Sequence, residues 1–375
     1  VSSSAALAVV FGGPSPEHDV SVLTGLQAAR ALSARSGGAP VHALYWSKTG
    51  DWFDVAPGLE ASAFADGAPG GSRPLELVTG PGGGFVTGRA KLGGKATLLE
   101  LDVVVNCCHG GPGEDGSLQA VLDLTGIRYT GPSAAGAALG MDKYAFGAVV
   151  AAAGLPCLPR AVLSADDAKL AFDGPYIVKP RFGGSSIGIE VVADLATAQA
   201  QLRTSVHLRR GAVIEPYRPD LHDVQIAVRS WPELQLSAIE RPLRSSAGAH
   251  ILDYADKYVG GEGMVSAPRE LPARLDGGVA AELRSAALEV ARVSGLRGVA
   301  RVDFLSDGET LFVNEVNTIP GSLARYLFVD PPLPFESLLG DLVAEARARP
   351  ATQPAVAGAD GRVLRSAGAI SAKLG

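Results

Sequence analysis

The stretch over residues 298–322, GVARVDFLSDGETLFVNEVNTIPGS, constrains this chain more than any other. Residues 299–305 are short, apolar and alternating, which reads as a strand with one buried face. Arg301 and Asp303 stand two apart, so in a strand their side chains share a face. Asp307-Gly308 supplies the backbone conformations that a two-residue hairpin loop needs. A return strand over residues 311–316 then delivers Glu315, and Asn317 follows on the same face. The opposite face carries Val302, Phe304, Phe312 and Val316, with Asn314 as the exception. Two carboxylates and an amide oxygen are a fit donor set for magnesium when phosphate oxygens and water complete its octahedral shell. The competing reading is a hairpin whose charges simply face water, and the rest of the chain must decide.

At 375 residues the chain is too long for one ordinary core, so two or three domains are expected. A hydrophobic content of 47% with 19% charged residues is globular and leaves ample material for buried sheets. The net charge of -6 gives no reason to expect nucleic acid or an anionic membrane as a partner. Three cysteines, Cys107, Cys108 and Cys157, are spaced neither as a disulfide framework nor as a zinc site, so a reduced, cytoplasmic setting is expected. The opening VSSSAALAVVFGG has no basic segment before a short apolar run, and reads as part of the fold rather than as a signal peptide. No apolar run approaches the ~20 residues that span a bilayer.

Residues 5–11 form a buried-strand run that Gly12-Gly13-Pro14-Ser15-Pro16 breaks, and a helical pattern opens at Glu17-His18-Asp19. Strand, glycine-rich turn and helix start make a first βα unit, whose strand end commonly carries ligands. Glu17 there is a candidate partner for an ammonium group, or simply an acid favoured by the helix dipole. Residues 47–94, rich in glycine and proline, read as short hairpins and loops. The buried strand at 101–106 runs into CCHGGPGEDG, a glycine-rich loop in which His109 and Glu114 are placed to touch a small ligand. The adjacent cysteines read as small buried hydrophobes. A strand ending at Lys179-Pro180 leads into Arg181-Phe182-Gly183-Gly184-Ser185-Ser186-Ile187-Gly188 and another strand. That loop lacks the order of a Walker site but can cover phosphates with backbone N–H groups, as glycine-rich hairpins do in kinases. Residues 259–264 (VGGEGM) have the composition of a loop that closes over a site.

Taken together, FGGPSPEHDVS, HGGPGEDGSLQ, TGPS…ALGMDK, IVKPRFGGSSIG, DYADKY and ARVDF…NEVNTIPG occur in an order that resembles the D-alanine–D-alanine ligases of the ATP-grasp superfamily, over roughly residues 7–347. The resemblance implies an α/β and α+β multidomain ATP-grasp fold with an N-terminal Rossmann-like (pre-ATP-grasp) domain. Its expected boundaries are 1–132 for that substrate domain, 133–220 for the central lid domain, 221–348 for the C-terminal domain with the metal and catalytic residues, and 349–375 for a tail. It also implies ATP and two magnesium ions, with manganese an acceptable substitute, and amino acids joined through an acyl phosphate, D-alanine to D-alanine for peptidoglycan. A homodimer is the implied assembly. Carried over residue by residue, Lys143, Lys179 and Lys257 contact the phosphates, and Gly183, Gly184, Ser185 and Ser186 close over them. Glu215 lies at the adenine edge, Asp223 at the ribose, and Asp303, Glu315 and Asn317 hold the metals. Glu17 binds the first ammonium with help from His109 and Glu114, and forms a loop-holding triad with Ser185 and Tyr258. Arg301 and the N–H of Gly321 stabilise the oxyanion.

The match fails after the Pro-Gly turn. The family continues there with threonines and serines, one of which grips the second substrate's carboxylate, whereas this chain has Ser322-Leu323-Ala324-Arg325-Tyr326. Arg325 and Tyr326 are therefore candidates for the second substrate's pocket. The departure keeps open a divergent dipeptide or amide ligase of a specialised pathway. A nucleotide-binding regulator without turnover is the reading from another class, disfavoured because all three metal-ligand positions are kept.

Overall fold

The computed structural model describes residues 6–35, 40–87, 96–243, 268–349, 351–352 and 356–366. The first of its three sheets comprises β1 (Ala6–Gly12), β2 (Val41–Trp46), β3 (Trp52–Val55), β4 (Arg73–Val78), β5 (Gly84–Thr87), β6 (Leu101–Asn106) and β7 (Arg128–Tyr129), in the order β5-β4-β3-β2-β1-β6-β7. β1 is apolar on both faces, with Val9, Val10 and Phe11 fully buried, and it takes the central place between parallel neighbours. The glycine- and proline-rich segment supplies the antiparallel edge strands β3 to β5. α1 (His18–Arg35) follows directly on β1 and lays Val22, Leu26, Ala29 and Leu32 against the sheet. The loop after β6 contains a helical turn, α2 (Gly111–Glu114), before α3 (Ser117–Thr125), so the segment expected as an open loop is partly helical and buries Glu114.

α4 (Ala134–Met141) and α5 (Lys143–Ala152) lead into the second sheet, β8 (Ala161–Val162), β9 (Tyr176–Pro180), β10 (Glu190–Val192) and β11 (Ala212–Pro216), ordered β10-β9-β11-β8. α6 (Leu195–Thr204) packs Ala198 and Leu202 beneath it. The third sheet is β12 (His222–Arg229), β13 (Gln235–Pro242), β14 (Arg269–Glu270), β15 (Val299–Ser306) and β16 (Leu311–Asn317), ordered β14-β13-β12-β15-β16. α7 (Gly277–Val293) covers one face together with α5, burying Phe146, Val150, Leu283 and Val290 against Ile226, Val302 and Phe304. Each such side chain contributes about 1.5–3 kcal/mol of transfer free energy. α5 thus belongs by packing to the third sheet's core, although it precedes the second sheet in the chain. α8 (Phe335–Ala348) returns to the first sheet, where Leu338, Leu339 and Leu342 share one cluster with Phe11, Leu26 and Val103. α9 (Arg362–Ser366) is a single short helix in the tail. No helix among the described residues is long and apolar enough to cross a membrane.

The β15–β16 hairpin departs from its expected form in two ways. Its connection is four residues long, 307–310, because the Asp307 carboxylate accepts from the Glu309 and Thr310 N–H groups and closes a wider loop. Opposite the Asp303-Phe304 step the register shifts, with Asp303 facing Glu315 but Phe304 facing Val313. Asn314 is the extra residue of a β-bulge. The alternation therefore changes parity there, and Val313 rather than Phe312 enters the core.

Candidate active site

On the face of the third sheet opposite α5 and α7, four strands line up their polar residues. Glu315 of β16 faces Asp303 of β15, Asp303 faces Gln225 of β12, and Gln225 faces Glu240 of β13. One position along, Arg301 faces Asn317. Arg301 grips Asp303 with both ends of its fork, Nε to Oδ1 at 2.7 Å and Nη2 to Oδ2 at 2.7 Å. Asn317 Nδ2 donates to Asp303 Oδ2 at 2.9 Å, and Lys143 Nζ donates to Glu315 Oε2 at 2.5 Å. Each of these partly buried carboxylates faces a fixed cation, Asp303 facing Arg301 and Glu315 facing Lys143. No three His, Cys, Asp or Glu cluster as a metal cage among the described residues. Two carboxylates and an amide suit a magnesium ion that takes most of its ligands from phosphate and water.

Between the second and third sheets lies a solvent-open cleft. Lys143, Lys179, Gly183, Gly184, Ser186, Glu215 and Asp223 line it together with Asp303 and Glu315, so nearly all the residues expected around a nucleotide are brought together. The Glu215 carboxylate, however, is fully engaged: it accepts from Lys179 Nζ at 2.8 Å and from Arg160 Nε. Burial alone would raise its pKa, but Lys179 and then Arg160 outweigh burial and hold it below the usual carboxylate range. Lys179 also donates to Asn314 Oδ1 at 3.1 Å, and Arg160 Nη2 to the Asn314 carbonyl at 3.0 Å. The bulge at Asn314 is what turns that side chain toward the cleft.

Two small polar pockets adjoin Glu315 and Asn317 on the side of the first sheet, and Glu17 lines both. Ser185, from the glycine-rich loop, donates its hydroxyl to Glu17 Oε1 across 168 residues of sequence. Ser185 and Ser186 both adopt left-handed backbone, unusual for serine, to make that approach. Glycine lets backbone approach the carboxylate closely on both sides, where a Cβ would push the Glu17 carboxylate aside. A Cβ on Gly184 would lie 2.6 Å from Glu17 Oε2, and one on Gly110 would lie 2.4 Å away. Arg301, Gly321, His109 and Glu114 line the second cavity.

His109 and Glu114 are more deeply committed to the protein than a ligand-facing pair. Both His109 nitrogens are engaged, Nδ1 with the Ile319 carbonyl at 2.6 Å and Nε2 with Thr24 Oγ1 at 2.8 Å. Burial pushes its pKa down to about 4. Glu114 accepts from the N–H groups of Gly110 and Ile319, each at 2.8 Å, and from Thr318 Oγ1 at 3.2 Å. Burial, reinforced by the neighbouring Glu17 charge, pushes it up to about 7. Cys107 and Cys108 are fully buried, with their thiols held far from ionisation by that burial.

The second-substrate candidates part company. The ring of Tyr326 carries the Arg269 guanidinium at 5.0 Å, and its buried hydroxyl has no hydrogen-bond partner among the described residues. Burial raises that phenol's pKa, with Arg301 opposing. Arg325 turns away and stacks on Phe335 at 5.2 Å, on the α8 side. Lys257, Tyr258 and the VGGEGM segment lie outside the described residues.

Arg160 lies in a short proline-flanked run without periodicity, and Thr24 within the apolar pattern of α1, so neither carries a signal in the sequence. Asn314 left a signal, as the one polar residue on an apolar face. The D-ala D-ala ligase N-terminus profile matches residues 6–132, and the D-ala D-ala ligase C-terminus profile matches residues 149–331. A D-alanine–D-alanine ligase of Bradyrhizobium sp. (strain ORS 278) is 31% identical over 359 residues, 92% of this chain and 95% of that protein. The fold matches D-alanyl-alanine synthetase A from Vibrio cholerae with a TM-score of 0.75 at 23% identity, over 93% of this chain and 100% of that one. It matches the VanG D-Ala:D-Ser ligase from Enterococcus faecalis with a TM-score of 0.72 at 24% identity, over 92% and 99%. The chain belongs to the D-alanine–D-alanine ligase family, whose members are ATP-dependent carboxylate–amine ligases.

Proposed function

We propose that the chain joins two molecules of D-alanine at the expense of ATP, through a D-alanyl phosphate, and supplies the dipeptide for peptidoglycan in the cytoplasm. The contact between Ser185 and Glu17 carries the reading: a phosphate-covering loop meets an acid of the first sheet beside Arg301, Glu315 and Gly321. An amino acid whose ammonium faces Glu17 would have its carboxylate near Arg301 and directed toward the nucleotide cleft. Lys143 and Lys179 would meet ATP phosphates, and Asp303, Glu315 and Asn317 would hold magnesium. Bound magnesium supplies neutralisation of phosphate charge and polarisation of the transferred group.

With that charge neutralised, a carboxylate oxygen of the first D-alanine bonds to the γ-phosphorus as the bond to the ADP oxygen breaks. The loop bearing Ser185 shields the acyl phosphate from water. The amine of the second D-alanine, having passed its ammonium proton to solvent, then attacks the acyl carbon, and its second proton leaves with the departing phosphate. Arg301 and the Gly321 N–H receive the charge that develops on the carbonyl oxygen, and phosphate leaves as the amide forms. One such donor is typically worth ~10²–10³ in rate.

Phosphate release with Mg-ATP and D-alanine, with chromatographic identification of the product, tests the reading. D-alanine-dependent release with D-alanyl-D-alanine formed is the expected result. Turnover with a different amino acid pair alone would overturn D-alanine as the substrate, and Tyr326, absent from the family's usual pattern, would be the first place to look. Nucleotide binding without turnover would mean a regulator. The assembly expected is a homodimer, checked by light scattering.

A further inference from the structure

The segment that carries Gly321 is held in a conformation its own residues disfavour. Ser322, Leu323 and Ala324 have φ values of 49°, 51° and 51°, three successive L-residues in left-handed backbone. Such a turn persists only where its surroundings over-determine it. Leu323 and Ala324 of that turn are buried in the core cluster, and three buried side chains from the N-terminal third of the chain hold its ends. Thr24, on α1 and fully buried, accepts from the Ser322 N–H at 3.0 Å through Oγ1. Glu114 accepts from the Ile319 N–H, and His109 bonds the Ile319 carbonyl, so both sides of that residue are clamped.

We infer that Thr24 is a positioning residue for the reaction: with His109 as its relay, it holds the left-handed turn that sets Gly321 beside Arg301. A carbonyl can only accept, so His109 Nδ1 carries a proton and donates it to Ile319. His109 is neutral, so Nε2 is an acceptor, and the nearby Thr24 hydroxyl donates to it. With its single proton directed at His109, Thr24 Oγ1 presents lone pairs to the Ser322 N–H. One chain of hydrogen bonds, Ser322 N–H to Thr24 to His109 to the Ile319 carbonyl, starts and ends on the segment it shapes and brackets Gly321. His109 thereby serves the protein's own backbone rather than the substrate's ammonium group.

The inference rests on Gly321 acting as an oxyanion donor, but it can be tested apart from that reading. Thr24→Val keeps the shape and removes the hydroxyl, and Thr24→Ser keeps the hydroxyl. With the full-length protein and D-alanine, Thr24→Val should lower kcat about 10–100-fold with KM for ATP within about twofold, as expected when a catalytic group is misplaced from a distance. Thr24→Ser should recover most of the loss. Hydrogen exchange resolved to the Ser322 amide should be faster in Thr24→Val and near wild type in Thr24→Ser. Equal losses in the two variants, an unchanged kcat in Thr24→Val, or a Ser322 amide equally protected in all three proteins would overturn the inference. If wild type does not turn over D-alanine, the proposed substrate fails, yet the exchange comparison still decides the role of Thr24. Nitrogen NMR of His109 in the unmutated protein gives a check free of variants: Nε2 should be the unprotonated nitrogen, and a protonated Nε2 would refute the relay.

Discussion

Replacing Glu114 by Gln should invert the stability difference between variant and wild type as pH rises. Glu114 lies at about 7 in the fold against 4.5 for an unconstrained glutamate. Between those values the unfolded chain has lost the proton and the folded one retains it. The stabilisation is fully present below pH 4.5 and is lost as pH rises through about 7. At ~1.4 kcal/mol per pH unit the gap amounts to something on the order of 3 kcal/mol. The substituted glutamine cannot titrate, but its NH₂ must replace an oxygen that now accepts from a backbone N–H, leaving donors unpaired at about 1–3 kcal/mol. The wild type should therefore be the more stable at pH 5 and the less stable at pH 8.5, with the curves crossing in between. Urea unfolding of both proteins at several pH values measures this. Titrating groups that do not interact with Glu114 cancel in the difference, including His109, whose own contribution is present above pH 6.5 and is lost as pH falls through about 4; Glu17, which repels Glu114, is the one that does not. A difference that stays constant within about 0.5 kcal/mol, or one that moves toward the wild type with rising pH, would refute the placement of a protonated carboxyl at this position.

Other substitutions probe the rest of the site. Glu315→Gln should abolish turnover while nucleotide affinity stays within about tenfold, because the loss is one of metal charge in the transition state; wild-type-like phosphate release would rule out Glu315 as a ligand. Arg160→Met should destabilise by about 3 kcal/mol in urea, since Glu215 keeps only Lys179 for company and the Lys143 and Asn314 carbonyls lose a donor; a change under 1 kcal/mol would mean that the cluster relaxes without it. Tyr326→Phe removes a buried hydroxyl that lacks a partner among the described residues and should be neutral or stabilising by about 1 kcal/mol. If that hydroxyl meets the second amino acid, the same variant raises its KM and leaves acyl-phosphate formation intact; a rise confined to the KM for ATP would move the second-substrate pocket elsewhere.

The donor half of the site was legible because its chemistry lies on regular elements. Arg301, Asp303, Glu315 and Asn317 follow from the period of a strand, and Glu17 and Lys179 from strand ends next to glycine-rich turns. The bulge at Asn314 was visible only as a break in alternation. Its consequence, a reversal of parity that buries Val313 and sends the Asn314 side chain to Lys179, required the register of the partner strand. Arg160 left no pattern, since one guanidinium holding a carboxylate and two carbonyls from three segments depends on tertiary geometry alone.

The roles of His109 and Glu114 show why residue type and location are not enough. A histidine and a glutamate in a glycine-rich loop at a strand's end have the chemistry of substrate ligands, and both do line the cavity. Yet each meets residue 319, one at its carbonyl and one at its N–H. What separates a binding residue from one that shapes the binding surface is where its hydrogen-bonding capacity goes. For His109 that capacity is exhausted by Thr24 and Ile319. For Glu114 it is nearly so, and the proton it keeps near neutral pH is the remaining link to the substrate. Glu17 raises Glu114 by repulsion, so an ammonium held at Glu17 would lower it and release the proton. Affinity for the first amino acid should then increase as pH rises through about 7, and a KM independent of pH between 6 and 8 would show that the two carboxylates do not share the site.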